Sequence, residues 1–231
     1  MANTGRSWLR LPKPKTFLGL MSLQTGAEII TVALLINKAT GLYGLLAILT
    51  GYTLDAVQLS MYIYSVAVLA TLAFLLPHIR KHSPFQNLLL SWVYIIDTAL
   101  NTAYTAYFAL EWFMASEGNP AGDAVEQATD TAASMVLITV FTLVRLYLMV
   151  VVMSFTRQVM LAYVASLEGD KGMTARPFAV GTSEGKSWRG SLARTMLFVG
   201  EEYWIGGRDD DGWAAGDEAR VPLAAHAGDD L

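Results

Sequence analysis

The sequence contains no cysteine, which excludes disulfides and thiolate metal sites. Its three histidines, His78, His82 and His226, are too few and too scattered to form a metal site. His78 and His82 stand four apart on a short basic stretch, the pattern of a solvated turn. Charge is scarce: 16% of residues are charged, where a soluble domain carries about 25%. It is also segregated. Residues 1–16 hold Arg6, Arg10, Lys13 and Lys15 and no acid, while residues 111–133 hold Glu111, Glu117, Asp123, Glu126 and Asp130 and no Lys or Arg. No glycine-rich phosphate loop follows a strand, and no strand is expected. The acidic run at 207–212 lacks the spaced ligands and distal Glu of a calcium loop. The few basic residues do not cluster as a nucleic-acid surface would. No cofactor and no metal are expected.

What is present is long apolar runs. Residues 134–153 are long enough to cross a bilayer as a helix, which takes ~20 apolar residues, and their sole charge is Arg145. A cation there must face protein or water and find a partner. Three further runs are read as spans, at 17–36 (closed by Asn37-Lys38), 56–76 (stopped by Pro77) and 85–108, and the fourth extends toward 160. Between the first two, residues 42–49 are apolar but too short to cross. Gly41, Gly44 and Gly51 bracket them, with Tyr43 and Tyr52 alongside. This stretch predicts a short interfacial or re-entrant helix whose ends need cover by protein. The fold class expected is an all-α membrane protein with four transmembrane helices, a short luminal interfacial helix, a cytosolic amphipathic helix and a disordered tail.

Basic residues favour the cytosolic side. The N-terminus, the His78–His82 turn and the tail are therefore placed in the cytosol, and the acidic stretch in the lumen. Residues 1–15 are basic, carry Pro12 and Pro14 and show no small-residue cleavage site, so the first span is expected to act as its own insertion signal. The domains expected are a basic N-terminus (1–16), a four-helix membrane domain (17–160) and a cytosolic tail (161–231). In the tail, Trp188, Leu192, Met196, Val199 and Tyr203 recur at three- and four-residue steps over 187–205. That pattern suits a helix lying on a membrane face, or packed on a partner's cytosolic domain. Residues 206–231 are expected to be disordered.

Three charges fall inside apolar runs: Glu28, Asp97 and Arg145. At ~1.5 Å per residue they lie ~17, ~18 and ~12 Å from the cytosolic ends of their expected spans. Side chains lean toward their own helix N-terminus, so the three converge on one depth. A buried pair that fixes helix register, a contact to a partner subunit, and a proton or substrate path all remain open readings. No luminal nucleophile with a positioned base is found, so no catalytic residue is assigned.

The segments LPKPKTFLGLMSL, AEIITVALLINKATGLYGLLAILTGYTLDAVQ, WVYIIDTALNT and LITVFTLVRLYLMVVVMSF resemble the regulatory subunit of fungal inositol phosphorylceramide synthase. The resemblance runs over about residues 10–160. Its most specific piece is the glycine-punctuated stretch 37–58, and Glu28, Asp97 and Arg145 fall on matching positions. The resemblance implies a non-catalytic Golgi membrane subunit in sphingolipid biosynthesis. Its catalytic partner would transfer phosphoinositol from phosphatidylinositol to ceramide. Membrane lipids are further partners, and Gly41, Tyr43, Gly44, Gly51 and Tyr52 are candidates for contact with the catalytic subunit. Trp188, Leu192, Met196 and Tyr203 are candidates for the membrane surface. A small transporter and a sorting adaptor are the alternatives.

Overall fold

The computed structural model describes residues 14–51, 55–117, 124–171, 177–179 and 185–206. Four long helices dominate: α1 (Leu23–Leu49), α2 (Ala56–Arg80), α3 (Pro84–Glu117) and α4 (Ala124–Lys171). Two short helices, α5 (Trp188–Phe198) and α6 (Glu201–Trp204), follow. α2 and residues Ala133–Leu167 of α4 are long and apolar enough to cross a membrane. In the most apolar eighteen-residue window of each, only 17% and 11% of residues are buried inside the molecule, so most apolar side chains there face outward. That is the arrangement of helices in lipid, not of a core helix in a soluble protein.

Four boundaries differ from the sequence reading, each for a local reason. Before α1 the chain makes a small hairpin, β1 (Thr16–Phe17) against β2 (Met21–Ser22), with Thr16 opposite Ser22. Leu18 (φ 52°) and Gly19 (φ 72°) form its turn, and the Leu20 N–H donates to the Phe17 carbonyl at 3.0 Å. Both φ values are positive, as a primed turn requires. The first helix therefore begins six residues later than expected. It then runs unbroken through Lys38 to Leu49, so residues 42–49 are its last turns and not a separate interfacial helix. α2 passes through Pro77. Proline removes one intrahelical bond and crowds the carbonyl four residues back, a kink that helices in lipid tolerate. Finally, α3 and α4 extend into the acidic stretch and leave only 118–123 between them, outside the described residues.

The ends of the helices follow from ordinary capping. Asp55 precedes α2, and its carboxylate accepts from the Val57 N–H at 3.3 Å. α3 opens on Pro84, whose missing N–H is harmless in a first turn.

Packing is concentrated at one end of the bundle, where α1 and α3 begin and α2 and α4 end. There Ala27 and Ile30 of α1, Leu72, Leu75 and Ile79 of α2, Leu90 of α3, and Val151, Val152 and Phe155 of α4 form one buried cluster. Hydroxyls tie the helices together: Ser91 donates to Thr156 (2.7 Å), and Thr156 donates to the Asn87 carbonyl (3.0 Å). Close polar contacts of this kind hold helices together where hydrophobic burial gives no advantage. Toward the other end the bundle opens. Met135, Val136, Leu137, Val140, Phe141, Leu143 and Val144 of α4 are all exposed.

α5 and α6 fold back onto the packed end. Gly190, Ala193 and Leu197 form the buried face of α5, and Trp204 joins Leu88, Met153, Met160 and Phe178 in a second cluster. Arg157 Nε on α4 donates to the Tyr203 carbonyl at 3.0 Å, and Arg194 donates to the carbonyls of Phe178 and Gly185. The face expected to line up as Trp188, Leu192, Met196 and Tyr203 is thus divided. Met196 and Tyr203 pack on the bundle, while Trp188 and Leu192 stay exposed beside Phe198 and Val199. Gly190 and Ala193 let the α5 backbone approach closely, and Leu197 completes the contact. Trp204 is 2% exposed. Trp204→Ala removes a side chain whose loss from a core costs ~3–5 kcal/mol. The expected result is release of α5–α6, seen as faster proteolysis between 172 and 187 with the melting of α1–α4 little changed.

Candidate functional site

One charged or polar side chain from each long helix meets inside the bundle: Lys38 of α1, Tyr64 of α2, Asp97 of α3 and Arg145 of α4. Asp97 is the centre. Its Oδ1 lies 2.6 Å from Lys38 Nζ, and the two side chains are only 2% and 5% exposed. The Tyr64 hydroxyl donates to the same oxygen at 3.2 Å. Lys38 Nζ also sits 5.1 Å from the Tyr64 ring centroid, within reach of a cation–π attraction. Arg145 lies on the other side, its guanidinium 3.7 Å from Asp97 Oδ2 and its side chain 31% exposed. The Asp97 side chain is thus saturated on one oxygen and loosely engaged on the other.

Geometry brings Asp97 and Arg145 together and leaves Glu28 out. Because α1 starts at Leu23, Glu28 is only five residues in, ~8 Å from the helix start. It meets Arg80 at the end of α2 instead, accepting a forked pair of bonds from Nε (3.1 Å) and a terminal nitrogen (2.9 Å). Arg80 is 77% exposed there. Exposed pairs of this kind contribute little.

Lys38 is the residue the sequence reading missed. A lysine after an apolar run reads as the end of a span, but here it sits in the middle of a continuous 27-residue helix. The one local hint was that apolar residues resume at Leu42, so Lys38 need not end the helix.

Gly41 and Gly44 of α1 face α2. A Cβ on Gly41 would stand 2.6 Å from Ser65 Oγ, and one on Gly44 would overlap the Tyr62 ring. Ser65 Oγ donates to the Lys38 carbonyl at 3.4 Å, just below. These two glycines therefore serve contact within the chain. Gly51 (φ 82°) has open space around it, Tyr43 is 75% exposed, and Tyr52 lies outside the described residues.

One apolar groove borders the charge cluster, and a second continues from it. The first, about 470 Å³, runs between α1, α3 and α4 past Ile30, Leu34, Phe141 and Leu148, with Asp97 and Arg145 in its wall. The other, about 480 Å³, lies between α3 and α4 near Trp112 and shares Thr105 and Ile138 with the first. At the packed end, a cleft of about 590 Å³ separates Phe85 and Gln86 from Trp188 and Arg189. Among the described residues no group of three metal-ligating side chains occurs. His78 Nδ1 sits 3.0 Å from the Phe74 carbonyl of its own helix, and the His82 ring packs against Phe155. Near α6, burial pushes the Tyr203 hydroxyl above its ordinary range.

A membrane-associated helical bundle built on a buried carboxylate–ammonium pair is the class of protein these features define. The chain belongs to the family described as inositolphosphorylceramide synthase subunit Kei1, whose profile matches residues 16–130 and 116–163. It is 42% identical over 99 residues to the inositol phosphorylceramide synthase regulatory subunit kei1 of Schizosaccharomyces pombe, covering 43% of this chain and 42% of that one. It is 36% identical over 103 residues to the corresponding KEI1 subunit of Saccharomyces cerevisiae, covering 45% and 47%. The matched stretch thus spans less than half the length of these curated relatives. No solved structure matches.

Proposed function

We propose that the chain is a non-catalytic regulatory subunit of an inositol phosphorylceramide synthase, bound in the Golgi membrane to the catalytic subunit. The observation that carries this reading is the family match across the four-helix bundle, together with relatives named as regulatory subunits. All four long helices cross the bilayer, with both termini in the cytosol. Supporting this, the buried charges of α1 and α3, Lys38 and Asp97, neutralise each other on the inside of the bundle. The packed end, which carries Arg80, Lys81 and Arg157, faces the cytosol, where basic residues are favoured. The exposed apolar residues of α5, Trp188, Leu192, Phe198 and Val199, rest on the cytosolic membrane surface. The partner supplies the transfer of phosphoinositol from phosphatidylinositol to ceramide, and this chain supplies the fold and location the partner needs.

The test is purification in mild detergent with the fungal catalytic subunit, followed by assay on phosphatidylinositol and ceramide. A stoichiometric complex is expected, active together and inactive for this chain alone. Turnover by the isolated chain, or a monomer that transports solutes in liposomes, overturns the reading.

A further inference from the structure

Two cations face one acid in the middle of the bundle. Lys38 takes Asp97 at 2.6 Å, and Arg145 stands 3.7 Å away, making no hydrogen bond among the described residues. Glu28, the other acid of the membrane part, is bound to Arg80. The cluster therefore carries one positive charge without a counter-charge. Arg145 is its half-exposed member, and it lines a groove of about 470 Å³ with no second acid in the wall. Arg145 is the thirteenth residue of the apolar stretch Ala133–Leu167, ~18 Å along a helix that needs ~30 Å to cross the hydrocarbon. A net positive charge at that depth, two cations sharing Asp97, is unfavourable by several kcal/mol unless a further anion balances it.

We infer that the groove between α1, α3 and α4 receives a transmembrane helix of the catalytic subunit, and that a carboxylate on that helix pairs with Arg145. This inference rests on the synthase reading given above. Charge selects the occupant: the site asks for an anion. Depth selects its source. A lipid phosphate belongs at headgroup level and would have to sink into the hydrocarbon, whereas a side chain on a helix is placed at any depth by its position in sequence. The surroundings fit a helix as well. The groove continues into the second one beside Thr105 and Ile138, giving an open-sided channel between α3 and α4. Phe141 and Leu137 stand exposed along it, and Thr102, Thr105 and Thr142 offer small faces for close approach. The α3 and α4 faces are also least packed at this end, where Met135, Val136, Leu137, Val140 and Phe141 are exposed.

The test uses the full chain co-expressed with the catalytic subunit. A photo-crosslinking benzophenone residue replaces Phe141, and Arg145→Gln is compared with the native chain. The crosslink is expected on a helix of the catalytic subunit, within one turn of an Asp or Glu. Arg145→Gln should lower recovery of the complex at least ~10-fold, because it strands a buried acid. The melting of this chain alone should hold, since Lys38 still serves Asp97. Changing the partner's acid to its amide in the Arg145→Gln background should restore much of the loss, because removing both charges is far milder than removing one. Crosslinks to lipid alone, with a phospholipid retained only when Arg145 is present, overturn the inference in favour of a lipid site. A crosslinked helix without a nearby acid overturns it too, as does a complex indifferent to Arg145→Gln; in both cases the synthase reading stands. An acid-bearing helix from a different protein keeps the groove's role and removes the synthase reading.

Discussion

Asp97→Leu is expected to prevent accumulation of the folded chain. Asp97 is the single acid in contact with both Lys38 and Arg145, and its side chain is 2% exposed. Leucine would leave two cations facing each other in a low-dielectric interior and would strip the Tyr64 hydroxyl of its acceptor. Removing one partner of a buried pair costs ~3–5 kcal/mol, against a total stability of only ~5–15 kcal/mol for typical domains. Lys38→Met should be less damaging, because Arg145 remains to face Asp97. The double variant Lys38→Met with Asp97→Leu should recover most of the Asp97→Leu loss. Size-exclusion profiles of fluorescent fusions and melting in detergent measure the order. If Asp97→Leu alone matches the native chain in both, the cluster is not what holds these helices in register.

The second large effect is expected at Gly44. A leucine there would drive into the Tyr62 ring across the α1–α2 contact. Overpacking of a close interface costs ~1–3 kcal/mol, and more when neither backbone can withdraw. Lys38 limits that withdrawal, since less than two turns earlier it holds α1 against Asp97 and Tyr64. Gly44→Leu should lower both the melting temperature and the yield of monomer. Tyr62→Ala in the same chain should restore them by opening the space. Gly51→Ala is the contrasting case: there is room for the methyl group, and only the positive φ opposes it, at ~1 kcal/mol. A folded, detergent-soluble Gly44→Leu monomer that no longer joins the proposed complex would instead move Gly44 to the intersubunit surface.

How much of this was legible in the sequence follows the range of each interaction. α2 and α4 were readable because their apolar runs are long and broken by at most one charge, Arg145 in α4, and that property is local. Lys38 was not readable as buried, because its burial depends on Asp97, nearly sixty residues away on a facing helix. The misplacement of Glu28 has a similar origin. Its depth was counted from Phe17, but a two-residue turn at Leu18 and Gly19 folds residues 16–22 back before the helix starts. Nothing in a Leu-Gly pair among apolar residues announces that. Pro77 shows the reverse error: a residue with a strong local rule was overruled by the helix around it. In the tail the expected helix over 187–205 is split at Gly200 into α5 and α6, and side-chain size misled as well. Trp188 and Leu192 drew attention to one face, while Gly190 and Ala193 made the contact on the other.

The uneven packing of the bundle has a consequence for how much of this protein a cell can hold. The end built from Leu72, Leu75, Ile79 and Phe155 is self-sufficient; the end around Phe141 and Arg145 is not. Resistance to opening therefore differs along each helix, and the weaker end sets how often the chain is exposed to degradation. A ligand that binds only the closed form adds stability in proportion to the logarithm of its concentration over its dissociation constant. If that ligand is the other subunit, the steady-state level of this chain is fixed by the abundance of its partner. Surplus copies then have a shorter lifetime without any dedicated sensor, because the loosely packed end opens more often when that ligand is absent.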